Sequence, residues 1–295
     1  VIEPVMVYSG AIRDNGTPFY TRLALAQVLG KDPDWYNEDP TADPIPQGRD
    51  FFIHVDDGRD DFDCTNIPHP WGYWAIDSHL GPDIRIAKAK LADVVWCAQK
   101  PFVKELAKHG VKASWLPLAC EPLIHLDRME LAVKEERTVA EPDLDLAFVG
   151  HLGDAGRLDF LDSLFKAFPN SWLAFGHFHE DMARVYHRAR LGVNHAVRDD
   201  LNMRFFELAC MGVLQLADAR MVGLDDLGFH RWQHYVPYDE ILDPVRAANV
   251  VFHEPTYLGQ HERIAEAAQA LVRGSHTYRH RVATMLEDIG QFLRR

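Results

Sequence analysis

The chain is short of several features that would place it in large functional classes. Its four cysteines, Cys64, Cys97, Cys120 and Cys210, lie far apart and form no CxxC. That spacing argues against structural zinc and leaves buried free thiols as the expectation. No apolar run approaches the ~18–20 residues that a membrane span needs. The opening VIEPVMVYSG has no basic segment ahead of an apolar core, so no secretory signal is read and the cytoplasm is the expected compartment. Positive charge is also scarce: 31 basic residues stand against 44 acidic ones, a formal net charge of −13. Such a balance argues against nucleic acid as a partner, whereas a small anion needs only a local cationic pocket. Neither a short repeat nor a low-complexity tract occurs.

What remains is ordinary globular composition, 47% hydrophobic and 25% charged over 295 residues, long for one domain and comfortable for two. Short apolar runs alternate with amphipathic ones. PVMVYSG, FFIHVDDG, YWAID, DVVWCAQ and ASWLPLA read as strands, and TPFYTRLALAQVLG, IRIAKAKLA and KPFVKELAKHG as helices, with Thr17 expected to cap the first and Pro18 in its first turn. This is the pattern of βαβ units around a parallel sheet. The alternation lapses from about Cys120 to Pro142 and then restarts with LDLAFVG, RLDFLDSLFKAF, SWLAFG, EDMARVYHRA and RLGVNHA. We therefore expect an α/β chain of two Rossmann-like domains facing across a cleft. The expected domains are residues 1–135 and 136–277, with 278–295 a helix that crosses back to the first domain.

The stretch DDLNMRFFELACMG, Asp199–Gly212, carries the most chemistry. Arg204 and Glu207 are three apart near a helix start, with Asn202 just before it, and residues so spaced share a helix face. A cation and an anion presented together suit a ligand with both phosphate and hydroxyls, such as a nucleotide-sugar. A surface ion pair worth about 0.2–0.5 kcal/mol is the plain alternative. Upstream, FVGHLGDAGR places Gly150, Gly153 and Gly156 between a strand and a helix, followed by Arg157. The spacing is not GxGxxG, but glycines there still let backbone approach a phosphate. Arg157, Arg204 and Arg220 are candidates to converge on a diphosphate, which two arginines can neutralise without a metal.

In the first half, YWAIDSH ends a strand with Asp77 and His79, and SGAIRDNGTPF brings Gly10 and Asn15 to the end of the first strand. Gly10, Asn15 and Asp77 are the candidate acceptor-side residues, and His79, orienting the sugar, joins Arg204 and Glu207 as the candidate catalytic residues. Asp61 and Asp63 form a D-x-D, yet inside a generally acidic loop where the tripeptide arises by chance, and GHFHED reads as a strand end and helix start. No metal ligand is assigned.

DDLNMRFFELACMG, FVGHLGDAGR and HTYRHRVATML, with YWAIDSH, ADVVWCAQ and GVKASWLPLACEP, resemble the CgeB-like (spore maturation) group of glycosyltransferases, a branch of the GT-B, group 1 type. The resemblance runs from about Tyr73 to Leu286. It implies transfer of a sugar from a nucleotide diphosphate donor, UDP being the first guess, to a hydroxyl of a glycan, protein or small molecule. Transfer would need no cofactor and no metal, and would retain the anomeric configuration. It also implies that Glu207 meets ribose or sugar hydroxyls, that Arg204 and Arg157 face the diphosphate, and that the Gly150 loop lies near the donor. Where many group 1 enzymes carry a glutamate eight residues before Glu207, this chain has Asp199. An epimerase or phosphorylase-like enzyme of the same architecture, and a non-catalytic sugar-nucleotide-binding protein, are the competing readings. Conversion without acceptor would favour the epimerase; binding without turnover would favour the binding protein.

Overall fold

The computed structural model describes residues 2–8, 13–37, 49–58, 61–152, 155–257 and 259–295. The chain divides into two compact units, Val1–Leu118 with Tyr278–Arg295, and Ala119–Thr277. The first passage thus falls after Leu118, against the boundary at 135 expected from sequence, and the second after Thr277.

In the first unit β1 (Val5–Tyr8), α1 (Thr17–Leu29), β2 (Trp35–Asn37), β3 (Phe52–Val55), β4 (Trp71–Ala75), α2 (Pro82–Ala89), β5 (Val94–Cys97), α3 (Lys100–Lys108) and β6 (Ala113–Trp115) follow in order. Every strand pairing is parallel, in the order β2-β1-β3-β4-β5-β6. Parallel strands are covered on both faces, which is why VMVY and FIHV are buried at every residue. The cap of α1 is Gly16 rather than Thr17, which is the first helical residue and whose hydroxyl accepts from the Tyr278 hydroxyl at 3.5 Å. The last helix of the chain, α10 (Tyr278–Leu293), belongs to this unit. Its Arg281 donates to the Pro117 and Leu118 carbonyls at 2.8 and 3.2 Å, and its Asp288 accepts from the Trp96 indole at 2.8 Å.

The second unit contains α4 (Arg128–Lys134), β7 (Leu144–Val149), α5 (Ala155–Ala167), β8 (Ser171–Ala174), α6 (His179–Tyr186), β9 (Ala189–Asn194), α7 (Met203–Cys210), β10 (Gln215–Asp218), β11 (Val236–Tyr238), α8 (Pro244–His253) and α9 (His261–Ser275). Its sheet is again parallel, ordered β11-β10-β9-β7-β8. Successive residues of β7 serve opposite faces: Leu146 and Phe148 join one apolar core, Ala147 and Val149 the other. Among the described residues, no helix is long and apolar enough to cross a membrane.

Helix α7 shows how local signals build the region of interest. Asn202 caps its start by accepting from the Phe205 N–H at 3.2 Å. At its end Gly212, at φ +67°, donates to Ala209 and Val213 donates to Leu208, the paired bonds of a left-handed glycine cap. Phe205, Phe206 and Leu208 are fully buried, each worth about 1.5–3 kcal/mol. The helix approaches the sheet closely because β9 carries Gly192 there. A Cβ on Gly192 would lie 2.9 Å from Val213, 3.0 Å from Leu208 and 3.2 Å from Tyr186.

Candidate functional site

Strand order locates the ligand end of each sheet before any side chain is considered. In the second unit the chain steps from β7 outward to β8, then returns to the other side of β7 as β9. The loops after β7 and β9 therefore diverge, and such a switch point is where open α/β sheets bind ligands. Gly150 follows β7, and the segment leading to Arg204 follows β9.

The structure brings Gly150, Arg157, Asn202, Arg204 and Glu207 to this region. Gly150 has φ +156°, a backbone state that side chains rarely adopt, and a Cβ there would meet the Phe148 ring at 3.3 Å and Arg204 Nη1 at 3.7 Å. The glycine turn and the Arg204 guanidinium are thus neighbours. Arg204 is held from two sides: Nε donates to Glu207 Oε2 at 2.8 Å and Nη1 to the Tyr186 hydroxyl at 2.9 Å. That hydroxyl also accepts from the Val149 N–H at 3.0 Å, so one phenol ties the arginine to the residue before Gly150. The Arg204 side chain remains 23% exposed. Its guanidinium carries five N–H donors in a fixed fork, more than Glu207 and Tyr186 use.

Glu207 is not a displayed surface group. It is 4% exposed, and its second oxygen, Oε1, faces His125 Nε2 at 3.4 Å. Burial alone would raise its pKa; the His125 contact and the Arg204 charge outweigh burial and hold it down at about 2. Burial likewise works against the Arg204 charge, and Tyr186 and Glu207 more than offset it, so the pKa of Arg204 rises. Neither residue changes charge near neutral pH.

Arg157 takes a different position from a free cation. Its Nη1 donates to the His151 carbonyl at 2.8 Å and its Nη2 to the His195 carbonyl at 3.2 Å, bracing the loops after β7 and β9 against each other. Asn202, besides capping α7, donates to Asn194 Oδ1 at 3.0 Å and so anchors the helix to the end of β9. Arg198 and Asp199 both have positive φ, +52° and +58°, and the Asp199 carboxylate is exposed. Arg220 forms a two-point pair with Asp218 at 3.0 and 2.7 Å and lies 3.7 Å from the Asp199 carboxylate. Gly153 lies outside the described residues.

In the first unit the switch point falls between β1 and β3. Gly10 lies outside the described residues, and Asn15 is half-buried just before α1. Asp77 and His79 follow β4, with Asp77 at φ +51° and its carboxyl pushed up by burial. Sequence reasoning missed Asp56, at the end of β3. It is buried with Arg85, which donates to it at 2.9 Å, and with the Tyr73 hydroxyl, which donates at 2.8 Å. The signal was the apolar strand running straight into Asp56 and Asp57. Of the D-x-D pair, Asp63 is engaged locally, accepting from Thr65 N–H and Oγ1 at 2.9 and 2.7 Å and from Asn66 at 3.3 Å. Also missed were Tyr186 and His125, which reach the site from distant parts of the sequence.

Residues 142–287 match the family described as Glycosyl transferase-like. No curated protein matches the chain. Among solved structures it is similar to sucrose-phosphate synthase from Thermosynechococcus elongatus, at 12% identity, 99% coverage of both chains and a TM-score of 0.64. HepE of Anabaena, in complex with UDP and glucose, is 10% identical over 98% of this chain and 100% of its own, with a TM-score of 0.63. WaaG, a glycosyltransferase involved in lipopolysaccharide biosynthesis, is 12% identical over 97% and 99%, with a TM-score of 0.61. The fold is that of the GT-B glycosyltransferases.

Proposed function

We propose that this chain, a GT-B fold whose residues 142–287 match a glycosyl transferase-like family, transfers a sugar from a nucleotide diphosphate-sugar to a hydroxyl acceptor. The observation that carries the reading is the pairing of the Gly150 turn with the Arg204 guanidinium at the carboxyl end of the second sheet. Backbone at a glycine turn can approach a phosphate closely, and a fixed guanidinium beside it stabilises the charge that builds on the leaving diphosphate. Glu207 and Tyr186 set the orientation of that guanidinium before any ligand arrives. A carboxylate offers about four acceptor positions, so Glu207 retains capacity for a donor hydroxyl. Arg157 acts by bracing the two loops, and Asp199 and Asn202 by shaping the entry to α7.

The first unit supplies the acceptor side in this reading, with Asp77 and His79 as its candidate polar groups. The reaction proceeds without an essential metal, the diphosphate charge being met by arginine and backbone, and with retention of anomeric configuration. The local engagement of Asp63 supports metal independence. The sequence resemblance supports the CgeB-like branch, and the UDP held by HepE makes UDP the first nucleotide to try.

A thermal-shift screen with UDP, GDP, dTDP, CMP and ADP tests donor binding. A nucleotide at 100 times its Kd stabilises the folded chain by about 2.7 kcal/mol. The nucleotide found then directs a transfer assay with its sugars. Arg204→Ala should lower kcat by about 10²–10³, the usual loss of one preorganised donor. Parental turnover by Arg204→Ala would refute the assignment, and binding without transfer across an acceptor panel would favour a non-catalytic binding protein.

A further inference from the structure

The segment that enters the second unit, residues 119–127, packs a histidine against the carboxylate that holds Arg204. His125 is completely buried. It closes a tight turn in which its own N–H donates to the Glu121 carbonyl at 2.8 Å and the Ile124 N–H to the same carbonyl at 3.0 Å. The buried Glu121 side chain stiffens this turn by accepting from the Leu123 N–H at 3.2 Å. The imidazole has a defined proton. Its Nδ1 lies 2.9 Å from the Glu121 N–H, and a backbone N–H can only donate, so Nδ1 is the acceptor. The proton of the neutral ring therefore sits on Nε2, the nitrogen 3.4 Å from Glu207 Oε1. The other oxygen of Glu207 receives Arg204 Nε at 2.8 Å. The carboxylate is hydrogen-bonded by its own helix at Oε2 and approached to 3.4 Å by the incoming segment at Oε1.

We propose that His125 is a positioning residue for the diphosphate end of the donor site: by fixing Glu207 it fixes the plane of Arg204. This rests on the function proposed above. The chain of contacts runs from His125 through Glu207 and Arg204 to Tyr186 and the Val149 amide beside Gly150. A guanidinium is planar and directional, so releasing one end of its carboxylate partner lets its fork rotate away from the phosphate. A misplacement of about 1 Å can cost roughly 10²-fold in rate. The tie acts on orientation, so its loss falls on kcat more than on ground-state nucleotide binding.

Two measurements on the full chain test this. In the first, the ring nitrogens of His125 are read by ¹⁵N NMR, along with the Nε–H signal of Arg204. The proton should be on Nε2, Glu207→Gln should shift the His125 signals, and His125→Leu should shift or broaden the Arg204 Nε–H signal. A proton on Nδ1, or an Arg204 signal indifferent to His125→Leu, overturns the tie whether or not the chain is active. The second measurement is transfer kinetics. His125→Leu should lower kcat by about 10²-fold with UDP affinity within a few-fold of the parent. His125→Gln, whose amide can donate to Glu207 in place of Nε2, should recover most of that loss. His125→Leu combined with Glu207→Gln should be no slower than the slower single variant, because both act through one carboxylate. Losses that multiply, or no recovery by Gln, overturn the positioning role. A parent that transfers no sugar from any nucleotide-sugar refutes the proposed function instead, and overturns the role of His125 with it, while the NMR result stands on the contact alone.

Discussion

Glu207→Gln distinguishes a buried network from a surface ion pair, and the distinction can be put in numbers. In the folded chain the Glu207 pKa is lowered from 4.5 to about 2. At 1.36 kcal/mol per pKa unit, that is about 3 kcal/mol of stability at neutral pH. The folded pKa lies below the unfolded one, so the contribution is fully present above pH 4.5 and is lost as pH falls toward 2. Linkage puts the loss at roughly 1 kcal/mol by pH 3.5. Glutamine does not titrate, so the parent's stability advantage over Glu207→Gln should shrink by about that amount between pH 6.5 and 3.5. The variant also leaves Arg204 without its counter-charge, but that offset does not vary with pH in this range; the slope is the test. Urea unfolding at each pH gives the difference, and hydrogen exchange of the α7 amides reports the second unit separately. A surface i,i+3 pair contributes about 0.2–0.5 kcal/mol. Parallel curves for parent and variant would refute the buried network.

Gly192→Ala should destabilise the second unit by about 1–3 kcal/mol through overpacking, because its Cβ would sit 2.9 Å from Val213 and 3.0 Å from Leu208; an unchanged urea midpoint would show that the helix tolerates a wider approach. Transfer activity should survive EDTA, and abolition by chelation with rescue by manganese would move Asp61 and Asp63 to the centre of the mechanism. His79→Ala should lower turnover much more than nucleotide affinity, and parental turnover would return His79 to a structural role.

The architecture was legible because parallel strands buried on both faces must be apolar runs, and VMVY, LDLAFV and QLAD could hardly be anything else. Short strands were not: WYN and VPY are too brief to show a period, and join their sheets through neighbours that lie elsewhere in the chain. Two helices were overlooked although their start signals were present. Asp127 and Glu130 form a capping box at α4, and Asp243 caps α8 with Pro244 at its first turn. At the site, the Arg204–Glu207 pair follows from helix spacing alone, and its neighbour Gly150 was read as a donor-loop glycine. The partners of each group were invisible. Arg157 was read as a cation for the diphosphate, and nothing in its sequence context shows that two backbone carbonyls occupy it.

Burial is what changes the meaning of the Arg204–Glu207 pair, and burial is not a property of DDLNMRFFELACMG. An isolated carboxylate taken out of water would protonate rather than remain charged. Here it stays ionised because Arg204 and His125 meet it, and His125 comes from a turn before α4 while Tyr186 comes from the end of α6. The desolvation cost is therefore met during folding, by contacts already made when a ligand arrives. A guanidinium on a flexible surface side chain would have to surrender rotamer freedom and water at the moment of binding. Arg204, oriented by two partners and still 23% exposed, has little left to reorganise. Fixed dipoles and charges of that kind stabilise developing charge more effectively than mobile ones. Glu207 and Tyr186 therefore matter whether or not either touches the donor: each removes one way for the guanidinium to turn.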